Sequence, residues 1–153
     1  MVRYQDAEGP ANGILRVRVR LDFKGTAKRG RFFLGGKSSE KVAEEAREQQ
    51  VAVFRNIPIQ GIRIEDIDLN VEAYSVRDDS SNTEVAYAPV ILHLTADSLE
   101  DLLRFVVRED FRKVEIIEPP NLSLTRYDVE RLLFRIHEEF KNYRAWLERK
   151  WAR

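Results

Sequence analysis

The sequence contains no cysteine, which removes disulfides, thiol nucleophiles and thiolate metal sites from its repertoire. Histidine appears only at His93 and His137, so imidazole has few chances to serve as a base or a ligand. No apolar run approaches the roughly 20 residues that a membrane-spanning helix requires. The opening stretch MVRYQDAEGPANG is polar and lacks the apolar core of a signal peptide. Lysine is sparse, 7 residues beside 19 arginines, a bias that suits ion-pair networks or anion binding. These absences lead to the expectation of a cytoplasmic protein without membrane attachment, cofactor or metal.

What is present is enough for one packed domain. The 153 residues are 43% hydrophobic and 34% charged, a balance that excludes wholesale disorder and leaves a heavily charged surface. Formal net charge is zero, but the charges are segregated. From 14 to 37 there are eight basic residues and one acid; from 64 to 84 there are seven acids and one arginine. The two segments either neutralise each other within the fold or face different partners.

Along the chain, Gly9, Pro10 and Gly13 mark residues 1–13 as a loose lead-in. A strand follows over 14–24. Leu15, Val17, Val19, Leu21 and Phe23 alternate with Arg16, Arg18, Arg20, Asp22 and Lys24, so one face is apolar and the other mostly cationic. Glycines 25, 30, 35 and 36 suggest turns around a short strand at 31–34. Ser38 or Ser39 caps a helix whose inward face is expected to hold Val42, Ala46, Val53 and Ile57, and Pro58 stops it. A second strand takes in Ile62, Ile64, Ile67, Leu69, Val71 and Ala73, its parity breaking near Glu65 as at a bulge. RDDSSNTE, 77–84, reads as a hairpin loop before a third strand over 85–95. Asp97 with Glu100 resembles a capping box for a short helix containing Leu99, Leu102, Leu103, Val106 and Val107. A fourth strand over 113–118 ends at Pro119 and Pro120.

Thr125 and Asp128 open the last helix, 125–151, with Val129, Leu132, Leu133, Ile136, Phe140, Tyr143 and Leu147 at spacings of three and four. The predicted architecture is therefore α+β: a ferredoxin-like βαββαβ antiparallel sheet of four strands plus a long C-terminal helix, one domain over 14–153.

Several features invite functional readings. Arg16, Arg18 and Arg20 would occupy the middle of the open sheet face, where nucleic-acid modules of this shape combine cations with stacking aromatics. The first strand supplies no aromatic there, and cross-strand pairing with Glu115 is the structural alternative. Lys28, Arg29 and Arg31 extend the basic character into a glycine-containing loop beside Phe32 and Phe33. Gly36-Lys37-Ser38 imitates the end of a P-loop, but the first glycine of that motif falls on Arg31. Asp66, Asp68 and Asn70 imitate a calcium loop, yet Val71 and Arg77 stand where its glycine and glutamate belong. Neither histidine has a spacing partner that would make it a base or a metal ligand. Phe140, Tyr143, Trp146, Leu147 and Trp151 carry apolar character to the end of the helix, as an interface between copies does.

The residues ADSLEDLLRFVV, then VEIIEP, then a helix reaching Tyr143 make 90–143 similar to the C-terminal extension that follows WYL domains in bacterial transcription regulators. That resemblance, over about a third of the chain, implies a ferredoxin-like form and a part in regulation and assembly. The sequence thus leads to a non-catalytic protein acting through self-association or as a regulatory protein-binding module. A nucleic-acid binder using Arg16, Arg18, Arg20, Lys28, Arg29 and Arg31 is the alternative, and an enzyme of unknown type the third.

Overall fold

A computed structural model describes residues 13–27, 38–80 and 83–152. The lead-in expected before Gly13, the short strand expected at 31–34 and the basic loop residues Lys28, Arg29 and Arg31 lie outside the described residues. The fold is α+β, an antiparallel open sheet of five strands with a long C-terminal helix.

Strand β1, Leu15–Thr26, forms where the alternation is cleanest, and all five of its expected inward residues are buried. It runs two residues further than expected. Gly25 is therefore not a turn residue but a point of contact. A Cβ at this position would stand 2.2 Å from the backbone nitrogen of Ala43, so only glycine lets the following helix lie so close. That helix, α1, covers Ser39–Asn56 and is capped by Ser38, whose hydroxyl accepts the Lys41 N–H at 3.2 Å. Of its expected inward face Ala46 does pack against the core, but the buried positions are otherwise shifted. Ala43, Val51 and Phe54 are buried, while Val53 and Ile57 are exposed. The close approach at Gly25 turns the small Ala43 inward, and the rest of the face follows at helical spacing.

Strand β2, Ile62–Asp68, carries the expected bulge, its pairing slipping between Ile64 and Asp66. It stops short of Leu69, and a separate strand, β3, Tyr74–Asp78, resumes the same edge. Both pair with β4, Thr83–Ala96. The expected loop at 77–84 is correspondingly shorter, because Arg77 and Asp78 belong to β3 and Thr83 and Glu84 to β4.

The edge is broken for a chemical reason. Asp22 sends its N–H to the Asp110 carbonyl at 2.8 Å, so the hydrogen-bonding side of its partner Pro89 faces the outer edge. Proline has no N–H to give there. Arg47 of α1 instead donates to the Pro89 carbonyl at 3.1 Å and to the Val71 carbonyl at 3.2 Å, satisfying groups that a continuous strand would have paired.

The expected helix after β4 is a 3-10 turn, Glu100–Leu102, followed by one turn of α2, Leu103–Val106. Asp97 does not cap it, because its carboxylate accepts a bond from Arg63 at 3.0 Å. With a three-residue step, Leu102 and Phe105 turn inward and Val106 and Val107 outward. Strand β5 is Phe111–Glu118. The strand order is β2-β4-β1-β5, with β3 beside β4. Residues from α1 and α2 join the apolar side of β1, β2 and β4 in one core. The opposite side of the sheet carries the cations.

The last helix, α3, is Arg126–Trp151. Its expected start is confirmed in detail: Thr125 Oγ1 accepts the Asp128 N–H at 3.1 Å, and the Asp128 carboxylate accepts the Thr125 N–H at 2.8 Å. At about 1.5 Å per residue it is about 39 Å long.

Candidate functional site

Strand register assembles the uncovered side of the sheet from alternate residues. Arg18 of β1 lies opposite His93 of β4 and Glu115 of β5; His93 in turn lies opposite Asp66 of β2. Arg20 lies opposite Ile91 and Lys113, and Lys24 opposite Tyr87, which lies opposite Tyr74. Asp66 and Asp68 are thus two strands from the arginines. Glu72 falls in the gap between β2 and β3.

Two acids occupy the cationic row. Arg18 Nε donates to Glu115 Oε1 at 2.9 Å, and Lys113 Nζ stands 3.3 Å from Oε2 of the same carboxylate. The Arg18 hydrogen bond, then that of Lys113, holds the Glu115 carboxyl below its usual range. Asp22 is more deeply held, 1% exposed. It accepts Arg20 Nε at 2.9 Å and a second Arg20 nitrogen at 3.2 Å, together with the Tyr74 hydroxyl, and Arg112 Nε lies 3.5 Å away. The Asp22 hydrogen bond raises the Arg20 pKa further above its ordinary value. Burial, then the bond it donates to Asp22, raises that of Tyr74.

Tyr74 and Tyr87 stack with centroids 5.5 Å apart, and the Arg112 guanidinium lies 4.9 Å over the Tyr87 ring. The face therefore has aromatics, supplied by β3 and β4 and not by β1. The alternating pattern of β1 alone gave no sign of them, because the pair forms only when two other strands come together. Arg16 and Lys24 are exposed and make no ion pair among the described residues.

α3 offers a surface of a different kind. None of its residues is buried. It meets the body chiefly at the 3-10 turn, where Arg131 Nε reaches Glu100 at 3.3 Å. Of the five expected interface residues, Phe140 is 70% exposed, Tyr143 54%, Trp146 40% and Trp151 80%, while Leu147 is half covered. Tyr143 stacks on Trp146 at 5.8 Å, and Lys150 lies 4.9 Å over the Trp146 ring. Leu133, Phe134 and Tyr127 are equally bare. Leu133 lies on the apolar stripe read from the sequence; Tyr127 and Phe134 lie off it, and their only signal was aromatic character on an exposed turn.

Among the described residues a cleft of about 410 Å³ lies between α1 and Leu69, lined by Arg47, Val51 and Arg55. Among the described residues no group of three or more His, Asp or Glu side chains is placed to hold a metal ion. No helix among them is long and apolar enough to cross a membrane. Comparison with known proteins finds no matching family, no matching curated protein and no matching solved structure.

Proposed function

We propose that this chain is a non-catalytic assembly protein, joining copies of itself through α3 on a ferredoxin-like body. One observation carries the reading: a 26-residue helix that buries none of its side chains yet presents Leu133, Phe140, Tyr143 and Trp151 to solvent. Such a surface is costly in water, since each fully uncovered large apolar side chain forgoes about 1.5–3 kcal/mol of burial. The ferredoxin-like reading is supported by the central position of β1 and β4 and by α1 and α2 packing on the same side of the sheet, with β3 taken as a continuation of the β2 edge. The cationic face fits a structural part in this scheme, because Glu115 and Asp22 already engage Arg18 and Arg20.

Light scattering at micromolar concentration tests this reading. The chain should be a dimer or larger, and Trp146→Ala combined with Trp151→Ala should weaken the assembly. A monomer at all concentrations up to about 100 µM, weaker than the affinity range of specific complexes, sinks the proposal.

A second reading has its own observation. The stacked Tyr74 and Tyr87 lie on the same face as Arg16, Lys24 and Arg112, a pairing of rings and cations suited to single-stranded nucleic acid. It requires that RNA or DNA be retarded in a gel and released steeply as salt rises. Arg16→Ala with Tyr87→Ala should then abolish retardation.

A further inference from the structure

Resting on the self-association reading, we infer that α3 pairs with α3 of a second copy in antiparallel orientation, with the two-fold axis near residues 137–138. The apolar positions of the helix follow a heptad. Leu133, Phe140 and Leu147 recur every seven residues, and Val129, Ile136 and Tyr143 recur between them at the complementary three-four spacing. That seam is continuous over five turns and largely open to solvent: Val129 is 40% exposed, Leu133 60%, Phe140 70% and Tyr143 54%, while Ile136 and Leu147 are half covered.

The occupant of the seam is a second copy because the charges beside it complement themselves. Glu130, His137 and Arg144 share one heptad position flanking the seam. Neither Glu130 nor Arg144 makes an ion pair with another described residue. An antiparallel dimer centred near 137 sets Glu130 of each copy against Arg144 of the other, twice, and His137 against its own mate. On the other flank Leu132 meets Trp146, twice. Glu139 meets Glu139 across the axis, each already held within its own helix by Arg135 at 3.0 Å.

Layer composition agrees. Antiparallel pairing sets Val129 against Leu147, Leu133 against Tyr143 and Ile136 against Phe140, so each layer joins a smaller aliphatic side chain to a larger or equal one. Parallel pairing would instead stack Phe140 on Phe140 and Tyr143 on Tyr143. It would also leave Glu130 and Arg144 without each other. The antiparallel arrangement lays the distal half of one helix along the half of its partner that is held by Arg131 and Glu100.

The absence of native cysteine makes the test direct. Leu133→Cys and Tyr143→Cys full-length chains, distinguishable by mass, are mixed in equal amounts and oxidised. Antiparallel pairing gives the mixed Leu133→Cys/Tyr143→Cys disulfide as the main product. Homodisulfides of each variant, in a chain that is dimeric by light scattering, overturn the orientation and leave self-association standing; an unmodified chain that stays monomeric overturns both. As a readout independent of oxidation, Glu130→Arg should weaken the dimer roughly tenfold, through two like-charge pairs replacing two attractive ones. Adding Arg144→Glu to the same chain should restore it. Failure of the second change to restore dimerisation overturns the antiparallel register.

Discussion

Asp22 stands on the side of β1 that alternation assigns to cations, and it is the buried charged residue among those described. An isolated carboxylate in that position would be expelled or neutralised. It persists because Arg20, Arg112 and Tyr74 all aim at it, from β1 itself, β5 and β3. Three strands thus meet at one side chain. Asp22→Asn keeps the volume but removes the charge, leaving two arginines without compensation. Urea unfolding should show a loss of about 2–3 kcal/mol. That lies below the 3–5 kcal/mol typical of a fully buried pair, since both arginine side chains are 37% exposed and water screens part of the interaction. An unchanged midpoint would mean that the cluster is ornamental to stability and that Asp22 is held there for another use.

At the scale of elements, the features that could be read ahead are those whose signal is local. The period of two in β1, the parity slip that becomes the β2 bulge, and the Thr125–Asp128 cap each depend on residues within a few positions of one another. The misreadings all involve a distant partner. Gly25 looked like a turn because nothing nearby announces Ala43 of α1, and the β2 strand looked continuous through Ala73 because its interruption is caused by Pro89 on another strand. Asp97 looked like a cap until Arg63 took its carboxylate. The candidate surfaces divide the same way, the bare aromatics of α3 being legible and the Tyr74–Tyr87 pair not. The local cap also sets a pH dependence. The Thr125 N–H, then its hydroxyl and Arg131, holds the Asp128 carboxyl below the usual aspartate range. Because the folded pKa is the lower one, its stabilisation is complete above the unfolded value of about 3.9 and is lost as pH falls through the depressed value. Circular dichroism should therefore show α3 losing helicity on acidification below about pH 4. Thr125→Ala, which removes only the hydroxyl half of the cap, should cost about 1 kcal/mol at neutral pH, whereas Asp128→Asn, which removes the titrating carboxylate, should flatten that acid transition.

For the whole molecule, the decisive matter is whether the distal half of α3 belongs to the body or to an assembly. The core is built from β1, β2, β4, α1 and α2, with Phe111 and Val114 of β5 packed against it, and it includes no residue of α3. A helix of about 12 residues is marginal in water by itself, so residues 140–151, none of them buried, should be helical only to the extent that something covers them. Two consequences separate body from assembly. In the full chain, dilution should lower far-UV helicity while the melting of the sheet persists, and the melting temperature should rise with protein concentration, as required when a partner binds only the native state. Ending the chain after Glu139 should abolish both effects and leave a monomer. Its melting temperature should lie within about 2–4 °C of the dilute full-length protein, the shift expected for a change of about 1 kcal/mol in a domain of this size. A shortened chain that no longer folds would place Phe140, Tyr143 and Trp151 in the body's own packing, against their exposure of 54–80%, and would remove the basis for pairing between copies.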